Sequence, residues 1–161
     1  MRYFLVAGEA SGDLHASALI RALRAEDPEA SFAFMGGDKM EAAAGVAPIV
    51  HYREVAFMGI VSVVKNLGKL TRIGRQIQAA MRDFAPDVVI PVDYADFNFR
   101  FILPYAKKEL RCPVIYYILP KLWAWRAGRI RQLRRYVDLG LSILPFETNY
   151  FSDRGLRTAY I

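Results

Sequence analysis

The sequence predicts an α/β domain: a Rossmann-like parallel sheet with helices on both faces. Three observations carry this. Short apolar runs alternate with segments of helical period, the alternation that builds strand–helix–strand units. The runs are near-continuous rather than alternating with polar residues, as strands buried on both faces require. The length of 161 residues suits one well-cored domain, taken as 1–161.

The elements follow in order. Residues 3–7 are an apolar run ended by Gly8, hence a buried strand. Residues 13–24 place Leu14, Ala18, Leu19, Ala22 and Leu23 on one helical face, with Asp13 as N-cap. Residues 31–35 form a second strand closed by Gly36-Gly37; 39–44 suit a short helix and 46–51 a third strand. The clearest helix is 67–84. Leu67, Leu70, Ile73, Ile77, Met81 and Phe84 share one face, and Lys65, Lys69, Arg72, Arg75 and Arg82 lie on the other. Pro86 breaks it before a fourth strand at 87–92. Asp96 is placed to cap a helix from Phe97 that Pro104 would kink or end. A fifth strand is expected at 113–118, a basic helix at 125–136, a sixth strand at 138–144 and a helix at 146–153. The final Thr158-Ala159-Tyr160-Ile161 reads as the start of another strand, so the domain is expected to continue into a longer enzyme.

Composition narrows the function. Hydrophobic residues make up 54%, which excludes a disordered chain. No apolar run approaches the roughly 20 residues of a bilayer-spanning helix. The N-terminal apolar stretch runs straight into a glycine turn, without the core and cleavage site of a signal peptide, so the protein reads as not exported. The single cysteine, Cys112, excludes an internal disulfide and fits a reducing compartment. The net charge of +6 favours an anionic partner: nucleic acid, an acidic membrane face or a phosphorylated small molecule.

In an open parallel sheet ligands bind beyond the carboxyl ends of the strands. The unusual segments 8–13, 36–40, 93–98, 119–125 and 145–147 all follow strands and should share one edge. In the first, Gly8 and Gly12 flank Glu9 and Ser11. Such a turn permits positive φ and close approach of another group, and the next helix N-terminus favours anions. It reads equally as a phosphate- or sugar-binding loop and as a tight turn capped by Asp13. Gly-x-Gly-x-x-Gly is absent, so no nicotinamide cofactor is implied.

Asp93 and Asp96 follow a buried strand. Desolvation at such a strand end raises a carboxylate toward a useful general base. Asp96 has an alternative as a helix cap; Asp93 has none and is the favoured base. Trp123 and Trp125 are two apart, which in an extended segment sends them to opposite sides: one lines a cleft and the other packs inside. Arg126 lies nearest the working edge, while the arginines after it form a solvated helix face or a nucleic-acid patch. The apolar stretch 57–64 leads into a basic stripe, reading as an interfacial membrane contact or as a buried connecting helix. His15, His51 and Cys112 lack metal-ligand spacing, so no metal site is expected.

Together these motifs resemble one family. Leu5-Val6-Ala7-Gly8-Glu9-Ala10-Ser11-Gly12-Asp13, Phe57-Met58-Gly59-Ile60, Pro86-Asp87 with Asp93-Tyr94-Ala95-Asp96-Phe97-Asn98, Trp123-Ala124-Trp125-Arg126 and Leu144-Pro145-Phe146-Glu147 occur in the order seen in lipid-A-disaccharide synthases, over essentially the whole chain. The resemblance implies the N-terminal, acceptor-side half of a two-domain GT-B-type glycosyltransferase, whose C-terminal UDP-sugar-binding domain is missing here. The implied reaction joins UDP-2,3-diacylglucosamine to 2,3-diacylglucosamine 1-phosphate, forming a β-1,6 disaccharide and UDP, with no cofactor. It implies work in the cytoplasm, peripheral on the anionic inner face of the Gram-negative inner membrane, with no nucleic-acid partner. Asp93 would be the general base. Gly8, Glu9, Ser11, Gly12, Asp13, Met58, Asp96, Asn98, Trp123 and Arg126 would bind substrate. Val63, Val64, Leu67 and Leu70 would meet the membrane or acyl chains. Lys121 departs from the family's small polar residues there, and meets a phosphate or points to solvent. The alternative is a non-catalytic basic domain binding anionic lipid or nucleic acid. No turnover is expected from this chain alone.

Overall fold

The computed structural model describes residues 1–56, 63–125 and 127–161. The order is β1 (Arg2–Ala7), α1 (Ala10–Glu26), β2 (Ser31–Gly36), α2 (Asp38–Ala44), β3 (Val50–His51), α3 (Arg53–Ala56), α4 (Val63–Phe84), β4 (Val88–Val92) and α5 (Ala95–Phe97). A π-helical turn (Asn98–Ile102) leads into α6 (Leu103–Lys108). Then come β5 (Ile115–Tyr117), α7 (Leu122–Trp125), a 3-10 turn (Ala127–Arg129), α8 (Ile130–Tyr136), β6 (Leu139–Ser142), α9 (Pro145–Ser152) and β7 (Thr158–Tyr160). The strands form one seven-stranded sheet in the order β3-β2-β1-β4-β5-β6-β7, and every pairing is parallel.

The near-continuous apolar runs are explained by two cores. In β1, Phe4 and Val6 enter one core, while Tyr3, Leu5 and Ala7 enter the other. Successive side chains of a strand point to opposite faces, so both sets must be apolar. Helices α1 and α2 close one face through Ala16, Ile20, Met40 and Ala44. The other face receives Ile73, Ile77 and Met81 of α4, Leu103 and Ala106 of α6, and Leu133 of α8. The apolar stripe read from 67–84 is thus the buried face of α4 along most of its length. At its N-terminal end Leu70 is partly buried against the core, and Leu67 is exposed. Val63 and Val64 open the same helix.

Several boundaries differ from the sequence expectation, each for a local reason. Helix α1 begins at Ala10, with Glu9 at its N-cap, so Asp13 lies inside the first turn and is not its cap. The third strand contracts to Val50–His51, in register with Met35 and Gly36 of β2. Asp96 does not cap a helix either: α5 opens at Ala95, and the N-cap is Tyr94 in a left-handed conformation. Pro104 sits in the first turn of α6 and neither ends nor begins the helical run. The wider π turn just before it accommodates a residue that lacks an N–H. The basic helix is divided in two, and the tryptophan stretch is helical (Leu122–Trp125) rather than extended. Leu122 is its buried residue, and Trp123 is exposed.

Candidate functional site

The sheet order reverses between β1 and β4. β1 leads outward to β2 and β3 on one side, and β4 leads to β5, β6 and β7 on the other. Loops diverge at such a switch point and leave a crevice at the carboxyl edge. A cleft of about 650 Å³ lies there, a size suited to a small-molecule ligand. Four strand-end loops supply it: Ser11 and Gly12 after β1, Asp93 and Asp96 after β4, residues 118–122 after β5, and Ile143 and Glu147 after β6. The segment at 36–40, expected on the same edge, does not line it.

Asp93 and Tyr94 are consecutive left-handed residues, with φ of 43° and 44°. Beside them, at the end of the adjacent strand β5, Ile118 has φ of 62°, which for a β-branched residue is a true outlier. Each such residue costs on the order of 1–3 kcal/mol and persists only when its surroundings over-determine it. Here the surroundings are visible. The Asp93 carbonyl accepts from the Tyr116 hydroxyl at 2.6 Å and from Asn98 Nδ2 at 2.7 Å. The Asp93 N–H donates to the Tyr117 carbonyl at 3.2 Å. The Tyr94 ring lies over Gly8, where an added Cβ would stand 2.0 Å from it. Gly8 is therefore required for close approach, as the sequence suggests, but the approaching group is Tyr94. Neither Gly8 nor Gly12 has positive φ.

The Asp93 carboxyl titrates above the usual carboxylate range. Burial is the main cause and the Glu9 charge adds to it; the Tyr94 backbone N–H and Lys121 oppose. Glu9 is itself exposed and accepts a hydrogen bond from Ser11 Oγ. Asp96 is exposed and pairs with Arg129 at 2.6 Å, and the same guanidinium lies 5.1 Å from the centre of the Phe99 ring. Trp123 donates its indole N–H to Glu147 at 2.9 Å.

Two expected site residues act behind the cleft wall. Asp13 is buried and accepts from the backbone N–H groups of Gly37, Lys39 and Met40, at 2.8, 3.2 and 3.1 Å. It holds the start of α2. Asn98 is fully buried and holds the Asp93 carbonyl. Met58 and Arg126 lie outside the described residues. Sequence reasoning missed Tyr116, which reads as one more apolar strand residue, and Arg129, which reads as part of a solvated basic run. It also left out Glu147, although its segment follows a strand. Among the described residues no His, Cys, Asp and Glu cluster is placed to hold a metal.

The clamp on Asp93 is testable. Tyr116→Phe removes the 2.6 Å hydrogen bond to the Asp93 carbonyl and the longer one, 3.5 Å, that the hydroxyl accepts from Asn98 Nδ2. It should lower stability by about 1 kcal/mol, read as a lower urea midpoint at unchanged slope.

Sheet order and cleft together define a Rossmann-like α/β domain with its ligand edge at the β1/β4 switch point. The sequence model of the family described as lipid-A-disaccharide synthetase matches residues 3–161, and the chain belongs to that family. The lipid-A-disaccharide synthase of Myxococcus xanthus is 44% identical over 160 residues, covering 99% of this chain and 41% of that protein. The Trichlorobacter lovleyi enzyme of the same name is 36% identical with the same coverage. The chain thus spans about two-fifths of the length of these relatives. Among solved structures, a UDP-GlcNAc 2-epimerase from Neisseria meningitidis superposes with a TM-score of 0.68 at 14% identity, covering 99% of this chain and 45% of that one. A putative UDP-N-acetylglucosamine 2-epimerase from Listeria monocytogenes gives 0.65 at 12% identity, covering 96% and 41%. These two likenesses establish the fold.

Proposed function

We propose that this chain is the acceptor-side half of an inverting, UDP-sugar-dependent hexosyltransferase of lipid A synthesis. The observation that carries the reading is Asp93: a half-buried carboxylate with raised pKa, at the switch point of the sheet and facing the cleft. The acceptor is 2,3-diacylglucosamine 1-phosphate and the donor UDP-2,3-diacylglucosamine. Asp93 takes the proton from the acceptor hydroxyl as its oxygen attacks the anomeric carbon of the donor. The bond from that carbon to UDP breaks, UDP leaves with the electron pair, and a β-1,6 disaccharide results. A base poised by desolvation suits that step. Ser11, Gly12 and Asp96 line the acceptor side, Gly8, Glu9 and Trp123 support it from outside the lining, and Lys121, exposed in the cleft wall, supplies a cation for the acceptor phosphate. Asp13 and Asn98 serve the site by holding its loops.

The donor's UDP belongs to a second domain, C-terminal to this one, which fits the two-fifths coverage of the relatives. Helix α4 supports a contact with an anionic membrane surface on the inner face of the inner membrane: Leu67, Lys69, Arg72 and Arg75 are all exposed along it. Among the described residues no helix is long and apolar enough to cross a membrane.

The test is product formation. A protein of the relatives' full length that contains these 161 residues should convert the two substrates to one disaccharide and one UDP per turnover. This chain alone should release neither. Failure of the longer protein overturns the reaction, and turnover by the isolated chain overturns the half-site.

A further inference from the structure

Glu147 combines deep burial, a place in the cleft and a missing partner. It stands in the first turn of α9, directly beyond β6, is 1% exposed and lines the cleft. Its Oε1 accepts from the Trp123 indole at 2.9 Å, and among the described residues its Oε2 has no hydrogen-bond partner. Buried carboxylates are rare unless paired, and an unsatisfied buried oxygen is costly. Other buried polar groups here are engaged: Asp13 accepts three backbone N–H groups, and Ser142 bonds Thr148. The Asn98 Oδ1 is also unpartnered, but Asn98 does not line the cleft. A fold that tolerates such an oxygen at a cleft wall is arranged for a donor that arrives with a ligand.

The surroundings indicate which donor. Trp123, Ile143 and Phe146 are all exposed around this carboxylate, and the Trp123 and Phe146 rings meet edge to face at 5.2 Å. A buried carboxylate in the cleft wall, bonded to an exposed aromatic pair beside the cleft, suits a pyranose, whose C–H face packs on apolar surface while its hydroxyls donate to a carboxylate. We propose that Glu147 Oε2 accepts a hydrogen bond from a ring hydroxyl of the acceptor glucosamine, with Trp123 fixing the carboxylate and covering the sugar. This rests on the acceptor-side reading above and adds a specificity residue to it.

Glu147→Gln keeps the shape and an oxygen for Trp123 but removes the charge. Binding to micellar 2,3-diacylglucosamine 1-phosphate should be measured by titration calorimetry, with the parent chain alongside and micellar phosphatidic acid as a lipid phosphate without a sugar ring. Loss of a hydrogen bond to a charged group should weaken binding of the amino-sugar lipid on the order of tenfold. Phosphatidic acid binding should be unchanged. The melting temperature should change little, because the Trp123 hydrogen bond is kept and one unpartnered polar atom is exchanged for another. Equal affinity for the sugar lipid, an equal loss toward phosphatidic acid, or a lowered melting temperature each overturns the assignment. No binding of the sugar lipid by the parent chain overturns the acceptor-side reading itself, and the assignment with it.

Discussion

Asp93→Asn in the full-length protein is expected to cut disaccharide formation by roughly 10²- to 10⁴-fold, the usual contribution of a positioned general base. The substitution isolates the chemistry because asparagine adopts the left-handed conformation of residue 93 at least as readily as aspartate. The Tyr116 and Asn98 hydrogen bonds go to the backbone carbonyl, which the change leaves in place. The pH dependence follows from the direction of the shift. The Asp93 pKa is raised from 3.8, chiefly by burial and then by Glu9, so activity should be lost, as pH falls, at a higher pH than an ordinary carboxylate would give. Stability has the opposite sign. The folded protein binds this proton more tightly than the unfolded chain does, so stability declines as pH rises from 3.8 through the raised value. The cost of the charged form is then present at neutral pH, and Asp93→Asn should raise the melting temperature there. Normal turnover by the variant sinks the assignment; a folded, more heat-stable and inactive variant is the expected result.

The contrast between residues that could be read from sequence and those that could not has a physical basis. Strands buried on both faces must be apolar at every position, so Phe4, Leu5, Val6 and Ala7, all fully buried, mark β1 without any knowledge of the fold. Asp93 stands out because a carboxylate directly after such a strand has no local reason to be there. Asp13 and Tyr116 are different. An aspartate at the start of a helix looks the same whether it caps that helix or another, and its real partners are 24 to 27 residues away. The Tyr116 hydroxyl has its partner 23 residues away, across the strand end. Arg129 shows the same limit: four other arginines in 126–135 look equivalent to it in the sequence, and its pairing with Asp96 appears only when the chain folds. Local pattern reveals where apolar surface goes, whereas the partner of a polar group is decided by topology.

Asp13→Ala is expected to destabilise the fold by about 3 kcal/mol, since three backbone donors at a partly buried helix start lose a charged acceptor at once. For a chain of this length that corresponds to a fall of roughly 6–12 °C in melting temperature. The site cannot easily relax. A Cβ on Gly37 would stand 2.3 Å from the Tyr52 ring and 2.9 Å from Asp13 Oδ2, so the carboxylate and the loop are fitted to each other. Asp13→Asn should recover only part of the loss. Its single carbonyl oxygen can replace Oδ1, which serves Gly37 and Met40, but its amide then faces the Lys39 N–H as a second donor. Denaturant melts of the three proteins, at constant slope, give the order parent, Asn, Ala. A ligand-binding Asp13 predicts otherwise: melting would be untouched by Asp13→Ala and only acceptor affinity would fall. The buried geometry favours the structural outcome, and it gives the loop after β1 a purpose. By tying α1 to the start of α2, Asp13 fixes the turn that carries Ser11 and Gly12 to the cleft that Asp93 also lines.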